Sequence, residues 1–297
     1  MTLNDILNQA NKLSVNLLAL SLYEKGSVSS WHRKDTHWRN NVYSVTKSVT
    51  SLAIGILSDK GTIDPFHDSI VDLFGCTIPE PQKESWKNVK LYHLLTHTTG
   101  FSEECLDIDN NDASDWDSDY LSRVLKQPIV YTPGSKMVYC DANYYLLSRI
   151  VVTATGETLQ SFVQRELFSP LGIVGAAWST CPQGHAIGAT GLFLTVEDML
   201  KIGMLLLNNG NFNRTQLVSE SWINAMTQKR VSTDSIGRGG YGFGYWVRSD
   251  TSAFMANGML GQLIYVSPHT NRVVAWQSCD NGKGIGPLTD FLIEHDI

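Results

Sequence analysis

The 297-residue chain is short of several things, and each shortage closes off a class of function. No apolar run approaches the ~20 residues of a membrane-spanning helix. Lys and Arg never run longer than pairs such as Arg33-Lys34, and the formal charge is −6, so a nucleic-acid or anionic membrane surface is not expected. The cysteines (Cys76, Cys105, Cys140, Cys181 and Cys279) are odd in number, widely spaced and without a C-x-x-C pair. That excludes a disulfide framework or zinc knuckle and leaves buried thiols in a reducing compartment as the expectation. Residues 1–12 lack a basic stretch leading into an apolar one, which points to a cytoplasmic protein. Internal repeats and low-complexity tracts are missing too. A hydrophobic content of 42% and a charged content of 18% describe a globular chain with ample core for one large domain or two moderate ones.

What is there begins with Ser44-Val45-Thr46-Lys47. Asn41-Val42-Tyr43 before it reads as an extended approach, and residues 48–60 carry Val49, Leu52, Ala53, Ile56 and Leu57 at the spacing of a buried helix face. A serine in the first turn of such a helix meets aimed N–H groups and the positive end of the dipole, which suits a developing oxyanion. Lys47, three residues on, shares its face. Buried, that ammonium is expected to lose proton affinity and serve as general base. The same four residues also fit an N-cap serine with a solvated lysine. About one Ser-x-x-Lys is expected by chance in a chain of this composition. Residues further along decide between the readings.

The spacing predicts helices over residues 3–12, 90–97, 118–126, 142–154, 159–167 and 287–295. Thr195-Val196-Glu197-Asp198 resembles a capped start for another over 199–207, stopped by Asn208-Asn209-Gly210. Residues 15–23 and 28–31 read as strands joined at Glu24-Lys25-Gly26-Ser27, and 241–247, 253–256, 262–267 and 273–278 as an antiparallel meander. Residues 103–119 are densely acidic and read as an exposed loop. Strands at both ends around a helical middle predict an α+β fold. Residues 1–60 and 185–297 would form the sheet domain, 61–184 a mainly helical domain, with the active site between them.

Four further stretches complete a family resemblance. Leu94-Leu95-Thr96-His97-Thr98-Thr99-Gly100 is similar to an LLTHTSG signature, and Pro133-Gly134 with Tyr139-Cys140-Asp141 and its following helix to a PG…YSN…LL signature. Ser169-Pro170-Leu171-Gly172 and Ala189-Thr190-Gly191-Leu192 match later landmarks in order. Together with Ser44-x-x-Lys47, the chain resembles the serine β-lactamase and penicillin-binding-protein superfamily in its class C-like branch, from about Val42 to Val274. The resemblance implies a β-lactamase/transpeptidase-like fold, an antiparallel sheet flanked by helices beside a mainly helical domain. It implies Ser44 as acylated nucleophile, Lys47 as its base or base partner, and Tyr139 as proton shuttle. A phenol near pKa 10 can shuttle at neutral pH only beside a positive charge, here Lys47.

Two departures bear on substrate. Asp141 stands where the family has asparagine; it can accept from Lys47 but cannot donate to a substrate carbonyl. The third motif, Lys-Thr-Gly or His-Gly-Gly in the family, reads as Met259-Leu260-Gly261, with cation and hydroxyl missing. Gly261 remains, and the Gln262 N–H is expected to pair with that of Ser44 as oxyanion hole. Lys283-Gly284 follows the last strand and is a decoy. His93 and His97 have a metal-like i, i+4 spacing, but Leu94 replaces the glutamate of H-E-x-x-H, so no metal is expected and His97 reads as a structural histidine. Cys140 reads as an inert thiol. The glycines of 237–244 precede no helix and form no phosphate loop, and Trp246 could wall the cleft or fill the core. The expectation is a serine hydrolase acting through an acyl-enzyme on a small ester or amide, without cofactor. Alternatives are a D-alanyl-D-alanine carboxypeptidase or weak β-lactamase, and a non-catalytic binding or sensory module on the same fold.

Overall fold

An eight-stranded sheet, antiparallel throughout, is assembled from the two ends of the chain. Across it run Ser27–His32, Leu17–Glu24, Arg272–Ser278, Gln262–Ser267, Phe254–Gly258, Trp246–Val247, Gly240–Tyr241 and Val231–Ser232. The computed structural model describes residues 1–34, 37–109, 119–233, 239–248, 252–280 and 284–295. Lys283, part of the glycine-rich stretch (237–238) and most of the acidic stretch (110–118) lie outside these.

The first hairpin turns at Lys25-Gly26, both with positive φ (51° and 83°), the backbone that matches the strands' right-handed twist. Every residue of Gln262–Ser267 and Arg272–Ser278 is buried, because both sheet faces are covered. The terminal helices Leu3–Lys12 and Ile285–Glu294 cover one face through Ile6, Ala10, Leu288 and Leu292, against Leu20, Leu22, Tyr265 and Trp276. Helix Val196–Leu207, with its Thr195/Asp198 capping box, covers the other. Gly203 lets it approach, since a Cβ there would lie 2.4 Å from the Val273 side chain.

Helix Thr46–Asp59 differs from the amphipathic helix expected. Thr46 to Leu57 are all buried, polar positions included. Burial on every side is possible because the polar groups find partners: Ser48 Oγ donates to the Val45 carbonyl, Thr50 Oγ1 to the Gly188 carbonyl, and Trp222 Nε1 to the Ser51 carbonyl. Gly55 makes room for the Trp222 ring. The helix packs against Asp141–Thr155, which ends at Gly156 (φ 72°).

Several boundaries shift. The helix expected over 90–97 is Leu91–Leu95, and His97 itself turns left-handed (φ 57°) ahead of Gly100. The strand expected over 241–247 is two short strands, because Gly244 (φ 82°) folds the chain onto helix Thr46–Asp59, within about van der Waals contact of the Lys47 carbonyl. A small sheet of Asn40–Asn41, Leu192–Leu194 and Ala177–Trp178 is too short to show in periodicity. Cys140 and Cys181 are buried thiols as expected, whereas Cys76 and Cys279 are exposed. No helix among the described residues is long and apolar enough to cross a membrane.

Candidate active site

Ser44 sits on a sharp bend. Asn41 Oδ1 accepts the Tyr43 N–H at 2.8 Å, and Tyr43 has φ 47°, a left-handed conformation uncommon for a bulky residue. Ser44 occupies the 3₁₀ turn Tyr43–Val45 that runs into helix Thr46–Asp59. The N-cap alternative does not hold. Val45 is the capping residue, its side chain bonds nothing there, and the Ser44 hydroxyl instead accepts from Lys47 Nζ at 2.9 Å. The Ser44 side of the bend lines a cavity of about 580 Å³.

Lys47 is fully buried rather than solvated. Its Nζ donates to Ser44 Oγ, to the Ala189 carbonyl at 3.1 Å and to Asp141 Oδ1 at 2.7 Å, and it also bonds the Tyr139 hydroxyl. The expectation that burial would strip this proton is corrected here. Burial does pull the ammonium's pKa down, but the Asp141 charge, then Tyr139, lift it above the ordinary lysine value. The 2.7 Å contact with Asp141 thus favours the charged form of Lys47. Asp141, placed among substrate-binding positions from sequence, is 6% exposed and ion-paired to Lys47, and it is not among the cavity-lining residues.

More carboxylates stand behind Asp141. Glu104 Oε2 accepts the Asp141 N–H at 2.6 Å, and its Oε1 accepts from Cys140 Sγ at 3.0 Å and the Leu106 N–H at 2.8 Å. Asp109 Oδ1 accepts from Thr190 Oγ1 at 3.0 Å. Burial, followed by the Asp141 charge, raises the Glu104 pKa; for Asp109 burial is again the leading cause. Burial and the neighbouring Cys105 and Glu104 push the Cys140 thiol far up, as an inert thiol requires. Glu104 and Asp109 were not found in the sequence, where they merge into an acidic loop with no pattern of their own.

Tyr139 is 36% exposed and reaches the cavity. Its loop is hung on residues 97–100: Val138 N–H donates to the His97 carbonyl, Gly134 N–H to Thr98, and Tyr131 N–H to Gly100. The His97 ring stacks on the Tyr139 ring with centroids 4.3 Å apart, and Trp246 stacks on Tyr139 at 6.1 Å. Trp246 thus walls the cavity, resolving the choice left open from sequence. His97 Nδ1 accepts the Cys140 N–H at 3.1 Å and its Nε2 meets Tyr241 Oη at 3.3 Å. Burial and the Lys47 charge hold it neutral, well below the usual histidine pKa. It braces the loop and is not arranged as a metal ligand.

Met259–Gly261 form the turn between strands Phe254–Gly258 and Gln262–Ser267 rather than an edge-strand motif. The second half of that turn lines the Ser44 cavity and is tied back to the neighbouring strand and the last helix. The Leu260 carbonyl accepts from Ser278 Oγ, the Gly261 carbonyl accepts from Trp276 Nε1, and a Cβ on Gly261 would strike Ile285. The Gln262 side-chain Nε2 donates to the Ser278 carbonyl at 2.7 Å. Gly258 is the residue that meets the nucleophile loop: a Cβ there would lie 2.3 Å from the Val42 carbonyl. Gly258, three residues before the expected Gly261, is thus the point of close approach to the loop that carries Ser44. A glycine inside a strand, a sign of close backbone approach, was the signal available.

A serine, a buried lysine and a tyrosine gathered beside a cavity define a class of acyl-transfer folds. The chain belongs to the beta-lactamase family, whose model matches residues 19–289. A Salmonella typhimurium protein provisionally named a D-alanyl-D-alanine carboxypeptidase is 24% identical over 299 residues, 82% of this chain and 66% of its own length. The chain spans between 32% and 66% of the lengths of the first curated relatives it matches. A Bacillus anthracis structure provisionally named a 6-aminohexanoate-dimer hydrolase superposes with TM-score 0.82 at 18% identity, covering 100% of this chain and 81% of that one. A penicillin-binding protein from Bacillus halodurans gives 0.77 at 19%, covering 97% and 99%. The β-lactamase-like α+β fold is thereby established.

Proposed function

We propose that this protein is a serine hydrolase that cleaves small esters or amides through an acyl-enzyme on Ser44. The observation that carries the reading is the 2.9 Å hydrogen bond from a buried Lys47 ammonium to a Ser44 hydroxyl that faces a 580 Å³ cavity. In this mechanism Ser44 Oγ attacks the carbonyl carbon. Lys47 is not the base; it holds Ser44 and Tyr139 in place and offsets the negative charge that develops. Tyr139, acting as the phenolate beside the same ammonium, takes the serine proton, becomes the phenol, and returns to the phenolate as it hands that proton to the leaving alcohol or amine. The Ser44 and Met259 backbone N–H groups take the oxyanion, and water then releases the acid. The site would lie between a sheet unit (residues 1–60 and 185–297) and a helical unit (61–184).

The turn at Met259 favours neutral substrates. It places no cation or hydroxyl where a substrate carboxylate would be held, which sets this chain apart from β-lactam and D-alanyl-D-alanine chemistry. The test is hydrolysis of p-nitrophenyl acetate, with fluorophosphonate labelling followed by intact mass. Ser44→Ala should lower the rate by at least about 10³-fold and abolish the adduct. Equal rates in the two proteins overturn the mechanism and favour a binding module. Rapid penicillin turnover without ester hydrolysis overturns the substrate class alone.

A further inference from the structure

Behind Tyr139, on the side away from the cavity, lies a group that the hydrolytic mechanism does not use. Cys140 Sγ and Cys105 Sγ are 3.8 Å apart, and Glu104 Oε1 is 3.0 Å from Cys140 Sγ. The three ligand atoms all fall within 4.8 Å of one another. Cys140 is fully buried, while Glu104 and Cys105 are half-buried, so an ion could enter from their side.

We propose that Cys105, Cys140 and Glu104 form a binding site for a thiophilic divalent cation of the zinc class. Two thiolates each ~2.3 Å from a tetrahedral zinc lie about 3.8 Å apart, the separation found here. A carboxylate oxygen on the same ion lies about 3.5 Å from each sulfur. Glu104 must therefore draw back from Cys140 by about half an ångström, which loss of the S–H···O contact permits. The Glu104 carboxylate is already aimed: the Leu106 and Asp141 N–H groups hold its two oxygens, the outer-shell support that ligating carboxylates need. The fourth position is open to water.

The surrounding charge chooses between the two chemistries open to a close thiol pair. Asp141 is paired with the buried Lys47 ammonium, Glu104 borders Asp141, and Asp109 feels both charges, so carboxylates outnumber the ammonium here. Anions disfavour a free thiolate, so a buried Cys140 is a poor partner for disulfide exchange. The same anions favour a dication, which would bind with release of the two thiol protons. The ion would tie the 103–109 segment to the start of helix Asp141–Thr155, directly behind Tyr139. This site does not depend on whether Ser44 is acylated.

The experiment uses the full chain, reduced with a phosphine and stripped with a chelator. It is then equilibrated with Zn²⁺, freed of loose metal by gel filtration and analysed for bound zinc. Cadmium in place of zinc reads the thiolates directly through their ultraviolet charge-transfer absorption. We expect about one zinc per wild-type chain, a cadmium band that scales with two thiolates, and an upward shift in melting temperature on zinc addition. Cys105→Ser, a half-buried position that should fold, is expected to lower zinc retention more than tenfold and halve the cadmium band; Glu104→Gln should weaken zinc with the band kept. Zinc-free wild-type protein overturns the site, as does equal retention by wild type and Cys105→Ser. A Cys105–Cys140 disulfide that forms readily in air, in protein that takes up no zinc, overturns it in favour of redox chemistry.

Discussion

The two walls around Ser44 are built on opposite principles. The inner wall is buried and charged: Lys47, Asp141, Glu104 and Asp109 with neutral His97, each held by at least one partner in a tight network. The outer wall, the turn from Asn257 to Gln262 with Trp246 and Trp276, presents no lysine or arginine to the cavity among the described residues. Charge held in a low-dielectric interior acts strongly and keeps its position, so the inner wall can set proton positions. An outer wall without such a cation leaves substrate choice to shape, to the backbone and to the Asp280 carboxylate that also lines the cavity. The comparison teaches that the proposed reaction and the proposed specificity are separable, and substitutions on the two walls should fail in different ways.

The largest effect is expected on the inner wall. Tyr139→Phe removes the proposed proton carrier and keeps the ring that stacks on His97 and Trp246. Ester hydrolysis should fall about 10²–10⁴-fold with little change in melting temperature. A variant with near wild-type rate would place the shuttle elsewhere. Asp141→Asn tests the charge balance itself. It leaves the Lys47 ammonium buried without its nearest counter-charge, and breaking such a pair costs about 3–5 kcal/mol. Denaturant unfolding should read that loss. Activity may be measured separately, and unchanged stability would mean that Glu104 or Asp109 compensates.

A smaller effect concerns acid. His93 accepts the Lys90 N–H through Nδ1, and burial, then the Lys90 charge, lowers its pKa to about 4. His97 is lowered in the same direction. A depressed histidine pKa means that the unfolded chain binds more protons over the intervening range. Stability is then full above pH ~6.5 and lost as the pH falls through 4, by at most about 3 kcal/mol for His93. Unfolding midpoints from pH 7 to 4 check this, and His93→Gln should flatten the profile. A slope of the opposite sign would show that both rings are protonated in the fold.

The inner wall was partly legible and the outer wall barely so, for a physical reason. Ser44 and Lys47 are three residues apart on one helical turn, so local periodicity brings them together, and Tyr139 follows a Pro-Gly turn that announces its loop. The charge on Lys47 was misread because it depends on Asp141, 94 positions away, and on Glu104 behind it, and no pattern in the chain encodes those approaches. The six expected β-rich runs account for all of the eight strands but Val231–Ser232, yet the break at Gly244 and the close approach at Gly258 depend on Lys47 and Val42, far away in the chain. Gly258 was passed over in favour of Gly261 because a glycine needed for close approach looks, in sequence, like any glycine of a turn.

The smallest and sharpest test restores charge to the outer wall. Met259 is 39% exposed, so Met259→Lys should fold with unchanged stability. An ammonium there would sit at the cavity mouth, beside the backbone proposed to hold the oxyanion, and could pair with a substrate carboxylate. Because that pair would be solvated, its worth is about 1 kcal/mol, or roughly five- to tenfold in the rate of penicillin acylation of Ser44. Hydrolysis of p-nitrophenyl acetate, which carries no carboxylate, should not change. The ratio of the two rates isolates specificity from chemistry, since any disturbance of Ser44, Lys47 or Tyr139 moves both together. A parallel fall in both rates would show that the turn helps to build the reaction centre. No change in either would move substrate recognition to the other side of Tyr139, where a second cavity of about 610 Å³ is lined by Lys136, Val231 and Trp246.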